Sequence, residues 1–392
     1  MVLPQLPQDP SSGAARSVTT ICEILAAAGF QVHALATTAT EKGDRLDVRP
    51  WLESSGRAVQ LTRSRGERPE LHFRQRGVSY RLLDTGGAGA HGWNKVHGAR
   101  FDQLFDEELE RHDPDLVLTY GGTPADLKRR QRARRRGIKV VFALRNFGYL
   151  VPGAFEHTDA ILAASEFVSR RYRDVLGVES TALPLPLAME DVVAPEREAV
   201  FVTMINPSPE KGVMFFARLA EEISLRRPTI AILAVESRGG GGTTVRAGMA
   251  GGFDLRRHEN IMLAEAVSKP REIFAATRIL LAPSLWEEPA GRVAAEAMVN
   301  GVPALVSARG GLAEVANGGA VVLPIPQEVT PGTTVPPPAW MVEPWVEAVL
   351  KFAADDDYYQ QASARAYEAG RIYRPDELHP RYVEFFLKVL SS

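Results

Sequence analysis

The chain has 392 residues, 45% hydrophobic and 24% charged, with a formal net charge of -2; this excludes an intrinsically disordered chain and gives no global attraction for nucleic acid. The length predicts two compact domains. One cysteine, Cys22, excludes an internal disulfide, and no Cys/His spacing suits zinc.

No uninterrupted apolar run of about 18 residues occurs, nor a basic segment leading into an apolar one. The expectation is a cytoplasmic protein that neither spans a membrane nor is exported.

In chain order, the sequence opens on Met1-Val2-Leu3-Pro4, a stub too short for a full central strand. Residues 41 to 100 are rich in Gly, Arg and Ser, with strand signals at Glu70 to Phe73 and Val78 to Leu83. Short apolar, β-branched runs follow at Asp115 to Tyr120, Lys139 to Leu144 and Ala160 to Ser165. A second series runs through Ala199 to Ile205, Thr229 to Glu236, Ile261 to Ala264, Arg278 to Ser284, Pro303 to Ala308 and Ala320 to Leu323. Runs this apolar are expected to be buried on both faces, and their alternation with helical segments predicts parallel sheets covered on both sides.

One such helix places Phe215, Leu219 and Ile223 on one face, opposite Arg218 and Glu222. Pro184-Leu185-Pro186 and the polar stretch Glu190 to Glu198 read as a linker between the two series. Pro324 to Pro338 reads as a long surface connection, and Glu377 to Leu390 as a helix with Tyr382, Phe385, Phe386 and Leu390 available for packing.

The most informative segment, Pro283 to Pro303, reads strand, loop, helix, loop, strand. Gly291 followed by a helix-forming run puts the amides of Ala290, Gly291 and Arg292 near a helix N-terminus, where unpaired donors and the helix dipole favour a phosphate. Glu288 lies three residues before that glycine and Glu296 five after it, so the two carboxylates can reach different parts of one ligand.

Pro283-Ser284, Glu288, Gly291, Glu296-Ala297-Met298, Gly301 and Pro303 together resemble the E-x7-E signature of retaining glycosyltransferases of family 4, the glycosyl transferases group 1, with Ala290 where an aromatic is usual. Lys211-Gly212 resembles that family's R-x4-K-G segment, whose basic residues hold the donor diphosphate, but Asn206 stands in the arginine's place. Arg238 or Arg292 could supply the missing cation. Ser11-Ser12-Gly13-Ala14 is similar to the N-terminal G-G-A loop, while Ile161 to Glu166, Pro184 to Pro186, Gly310-Gly311 and Glu314 resemble further family segments. Many members carry a histidine after the strand written here Val140 to Leu144; this chain has Arg145-Asn146, so either these residues take over contact with the transferred sugar or a histidine such as His91 or His97 does.

The resemblance implies an α/β protein of the GT-B fold, two Rossmann-like domains with parallel sheets facing across a cleft. Residues 1–188 would form the acceptor domain, with a C-terminal helix of about 376–392 packing back on it, and residues 196–375 the donor domain. It implies retaining transfer of a hexosyl or other sugar from a nucleoside diphosphate sugar to a small-molecule, glycan or lipid-linked acceptor, with no metal and no further cofactor. Glu288, Lys211 and Arg145 would act on the reacting sugar and leaving group. Gly13, Asn206, Lys211, Arg238, Ala290, Gly291, Arg292 and Glu296 would bind the donor.

Two other functions stay open, a catalytically impaired sugar-nucleotide-binding partner subunit and a sugar-nucleotide epimerase of the same fold. A literal G-x-G-x-x-G at Gly87, Gly89 and Gly92 lacks the buried apolar strand before it and the ribose-binding acid after it that a dinucleotide site requires. The basic segment Lys128 to Lys139 reads either as a solvated helix face or as a peripheral contact with the inner face of a membrane.

Overall fold

The structure is a computed structural model, and it describes the chain except for residues 10–11, 42–46, 64–67, 90–91, 237–241, 266 and 268. The fold is GT-B, with two Rossmann-like units, Met1–Pro186 with Leu378–Ser392, and Leu187–Glu377.

The first unit contains β1 (His33–Thr37), β2 (Gln60–Thr62), β3 (Glu70–Gln75), β4 (Val78–Leu83), β5 (Leu116–Thr119), β6 (Lys139–Leu144), β7 (Ala160–Ala163) and β8 (Thr181–Ala182). They form two four-stranded sheets, β1-β4-β3-β2 and β5-β6-β7-β8. The opening stub joins these sheets, because Val2 bridges in parallel to both Leu35 and Thr119. Val2 N donates to Leu118 O at 2.9 Å and Leu3 N to Leu35 O at 3.0 Å. A segment too short to be a strand by its own length therefore occupies the centre of the sheet, since neighbours on both sides satisfy its backbone.

The period of two then fills both faces. Ala34, Ala36, Leu118 and Val141 enter one core, while Leu35, Val117 and Val140 enter the other. Leu378, Tyr382, Phe385, Phe386 and Val389, on the helix Pro375–Ser391, complete the first of these cores.

The expected all-parallel pattern fails at one edge, where β2, β3 and β4 pair antiparallel. Arg76 and Gly77, at φ 44 and 80, make the two-residue left-handed turn that a β3-β4 hairpin needs. The reading of Tyr80 to Asp84 as an unburied segment is also corrected. β4 is buried along most of its length because Arg81 is neutralised by Glu70, Glu107 and Glu108 at 2.7 to 2.8 Å. A strand, helix, strand unit does surround the glycine motif, but β5 ends in Thr119-Tyr120 with no ribose-binding acid.

The basic helix Pro124–Arg135 is largely paired. Arg129 bonds Asp102 and Asp126, Arg132 bonds Asp102 and Asp106, Arg134 bonds Asp159, and Arg136, just beyond the helix, bonds Glu110. Arg130, 1% exposed, donates to the carbonyls of Gly121, Ala154 and Glu156.

Cys22 is 1% exposed, and burial pushes its thiol up to about 11. The folded protein should therefore leave a disulfide reagent such as DTNB unreacted at pH 7 and show one thiol only after denaturation; rapid labelling of the native chain would mean that the helix Gly13–Ala27 opens freely.

In the second unit, β9 (Phe201–Ile205), β10 (Ile232–Glu236), β11 (Ile261–Glu265), β12 (Thr277–Ala282), β13 (Ala304–Ser307) and β14 (Val321–Leu323) form one parallel sheet in the order β11-β10-β9-β12-β13-β14. Phe215, Leu219 and Ile223 pack into its core together with Trp345 and Phe352. β11 departs from the expectation of burial on both faces, with Met262 and Leu263 exposed, because it ends the sheet. The stretch Glu190 to Glu198 is not a free linker. Asn300 Nδ2 donates to Val192 O at 3.0 Å, and Arg197 reaches the carbonyls of Asn300 and Thr277 at 2.8 and 2.9 Å, which ties the stretch to the second unit.

Candidate functional site

Counted from β9, the second sheet has the order third, second, first, fourth, fifth, sixth, so the chain direction across the sheet reverses between β9 and β12. Ligands of open α/β sheets bind outside the carboxyl ends of the strands at such a reversal. Three loops leave the carboxyl ends of the adjacent strands β9, β12 and β13 there: Asn206 to Gly212, Pro283 to Gly291, and Ala308 to Gly311.

Glycine lets these loops touch. Gly212, at φ 86, lies so close to the Pro283 carbonyl that a Cβ would overlap it, and Gly291, at φ 60, lies equally close to Leu312. Gly310, at φ 65, packs directly on the Glu288 backbone, and Gly311 N donates to Glu288 O at 2.7 Å.

This scaffold brings Lys211 and Glu288 together. Lys211 Nζ donates to Glu288 Oε1, which also accepts from Ser284 Oγ at 2.8 Å. Glu288 is 6% exposed, so the ion pair and the hydroxyl bond offset much of the cost of burying its charge. Ser307 Oγ donates to Ser284 O at 2.8 Å, and Arg309 donates to Leu285 O at 2.7 Å and Pro326 O at 2.9 Å, which fixes the loop from beneath. Trp286 is 39% exposed, with its ring centroid 5.6 Å from the Lys211 ammonium.

Gly291 precedes the helix Arg292–Val299 in the left-handed conformation and, lacking a side chain, provides no side-chain cap for its first turn. Glu296 is 5% exposed, and its Oε1 has no hydrogen-bond partner among the described residues; Arg292 Nη1 stands 3.7 Å away. Asn206, at φ 60, likewise keeps a buried Oδ1 without a partner among the described residues.

Lys211, Glu288, Ala290, Gly291, Arg292, Glu296 and Asn206 thus lie on loops and a helix at one edge of one sheet. Arg238 and His91 lie outside the described residues. Arg145 and Gly13 belong to the first unit. Gly13 is exposed at the start of its helix, where a Cβ would meet open space, so no steric demand of the fold requires a glycine there. His97 is half-buried in the helix Trp93–His112, and burial lowers its pKa.

Sequence reasoning passed over Arg309 and Trp286, and it gave Glu236 no role. Glu236 accepts from Gly242 N and from Thr244 N at 2.7 Å, so its carboxylate already occupies the N-terminus of the helix Thr243–Ala250. A strand-terminal acid a few residues before a glycine-led helix start was the available signal.

Residues 188–369 match the family model described as "Glycosyl transferases group 1". No curated protein matches the chain in sequence. Among solved structures, sucrose-phosphate synthase from Thermosynechococcus elongatus is similar with a TM-score of 0.71 and 14% identity, covering 100% of this chain and 98% of that one. The Anabaena protein HepE in complex with UDP and glucose gives 0.66 and 14%, over 98% of each chain. The catalytic domain of starch synthase IV from Arabidopsis thaliana, bound to ADP and acarbose, gives 0.67 and 12%, over 100% and 99%.

Proposed function

We propose, from the premise that the chain belongs through residues 188–369 to the glycosyl transferases of group 1, that it transfers a hexosyl or related sugar from a nucleoside diphosphate sugar to an acceptor with retention of configuration. The observation that carries this reading is the meeting of Lys211 and Glu288 at the reversal between β9 and β12, beside an N-terminal helix end capped only by glycine.

The ammonium of Lys211 has three N–H donors, of which Glu288 takes one, so a diphosphate can accept from the others. Charge that develops on the leaving diphosphate would be met by Lys211 and by the amides of Ala290 to Arg292, more strongly in the transition state than before it. Glu288 would orient hydroxyls of the donor sugar, and Glu296 Oε1, which is ion-paired with Arg292 but takes no hydrogen bond among the described residues, would accept from the ribose. Asn206 would offer its amide where the family carries an arginine. Gly13, Arg238 and Arg145 stay part of this reading, Arg145 as the contact with the transferred sugar. The route uses a cationic side chain and helix amides to hold the diphosphate and calls on no metal or added cofactor.

The structurally similar HepE, in complex with UDP and glucose, and starch synthase IV, bound to ADP and acarbose, support a nucleotide-sugar donor. The reading keeps the protein in the cytoplasm, and no helix among the described residues is long and apolar enough to cross a membrane. For a peripheral contact with the inner membrane face, the segment Lys128 to Lys139 offers the exposed Lys128 and Arg135, its other arginines being occupied as described.

A thermal-shift screen with UDP, GDP, TDP and ADP tests the reading. A nucleotide at about 100 times its Kd stabilises by about 2.7 kcal/mol, a rise of roughly 5 to 10 °C for a unit of this size. No shift with any nucleoside diphosphate would sink it. Binding without slow hydrolysis of any sugar nucleotide would favour the impaired partner subunit, and a changed sugar recovered on the intact nucleotide the epimerase.

A further inference from the structure

The first unit buries several arginines, and it satisfies them with one exception. Arg81 is held by Glu70, Glu107 and Glu108, Arg129 by Asp102 and Asp126, and Arg130 by three backbone carbonyls. Arg145 is 7% exposed, and its guanidinium has no hydrogen-bond partner among the described residues beyond the hydroxyl of Tyr382. The ionisable group that acts on it is the hydroxyl of Tyr382, which is neutral and donates to Pro184 O at 2.8 Å. No carboxylate compensates the guanidinium, and burial lowers its pKa. An uncompensated buried charge costs several kcal/mol, so a fold that neutralises its other buried arginines retains this one at the expense of stability.

Its location gives that expense a use. Arg145 directly follows β6, and Tyr120 directly follows β5, the strand hydrogen-bonded to β6. The Tyr120 hydroxyl is also buried without a partner among the described residues. Gln5 follows the central stub that pairs with β5, and its Nε2 is buried and unpartnered in the same sense. Neighbouring strands lie about 4.8 Å apart, so these residues stand at three consecutive chain ends along the carboxyl edge, where open α/β sheets take ligands.

We infer that Arg145 anchors an oxyanion site in the first unit, binding a carboxylate or phosphate monoester of the sugar substrate with its planar fork, while Tyr120 and Gln5 donate to the same substrate. This rests on the glycosyl-transfer reading for the nature of the ligand, an anionic sugar. The anion can sit on the acceptor, as a sugar phosphate or uronic acid, or on the donor, as a uronosyl nucleotide.

The test uses the full chain and its Arg145→Met and Arg145→Lys variants in thermal melts and isothermal titrations. The probes are glucose, glucose 6-phosphate, glucuronate, UDP-glucose and UDP-glucuronate. Without ligand, Arg145→Met should melt several degrees above wild type, because it removes an uncompensated charge. Wild type should bind one oxyanion-bearing probe at least tenfold more tightly than its neutral counterpart. Arg145→Met should lose that preference and Arg145→Lys keep part of it. Preference for glucose 6-phosphate or glucuronate assigns the anion to the acceptor, and preference for UDP-glucuronate over UDP-glucose to the donor.

A lower melting temperature for Arg145→Met, or equal binding of charged and neutral probes, would overturn the inference even while nucleotide binding persists. Oxyanion binding with no response to any nucleotide would instead overturn the transferase reading and leave the Arg145 site standing.

Discussion

Lys211→Ala is expected to lower kcat for donor turnover by ~10²- to 10³-fold, the usual effect of removing one preorganised charge from a developing anion. Turnover can be followed as nucleoside diphosphate released from whichever sugar nucleotide the melting screen selects. The substitution also leaves Glu288, 6% exposed, with Ser284 as its one remaining side-chain donor among the described residues, and removing one partner of a buried pair costs about 3 to 5 kcal/mol. Stability and catalysis must therefore be separated. Glu288→Gln keeps the shape and the Ser284 bond but removes the charge, so it should lose turnover with a smaller fall in Tm than Lys211→Ala. The double variant should cost less than the sum of the singles, since the two groups act as one unit. Unchanged turnover and unchanged nucleotide binding in both single variants would remove the site assignment.

Gly310→Ala is expected to disable the same site through the backbone. At φ 65 an alanine already pays a left-handed penalty of about 1 to 2 kcal/mol. Its Cβ would also meet Glu288 O at 2.6 Å and Glu287 C at 2.7 Å, which are backbone atoms that cannot swing aside. Gly318 is the control, with φ 75 and nothing within 4 Å of a built Cβ. Gly318→Ala should lower Tm by roughly 2 to 8 °C at ~2 to 4 °C per kcal/mol and leave nucleotide binding alone. Gly310→Ala should lose more than ~4 kcal/mol and weaken nucleotide binding with it. If the two variants melt together and bind alike, the close approach of the loops is not what shapes the site.

Much of the second unit could be read from its sequence. The strands β9, β10, β12 and β13 are continuous apolar runs between helices, and the donor segment carries its chemistry locally: a glycine that opens a helix, an acid before it and an acid after it. β1 was missed because His33-Ala34-Leu35-Ala36-Thr37 is built largely of small residues with a β-branched one only at its end, and β2 because its residues are exposed and its stability comes from pairing with β3. The buried β4 was misjudged because Arg81 reads as polar until its partners are known, and those lie 11, 26 and 27 residues away.

By itself, then, the sequence determined the order of strands and helices in the second unit and the register of Glu288, Gly291 and Glu296, since hydrophobic period and helix-end chemistry act over a few residues. Only the tertiary structure decided which charges are spent. The pairing of Lys211 with Glu288 spans 77 positions, the basic helix is neutralised by acids about 26 residues away, and Arg145 alone among the buried arginines of the described residues has neither a carboxylate nor a carbonyl partner. The energy of a charge depends on what surrounds it in space, and chain topology sets those surroundings.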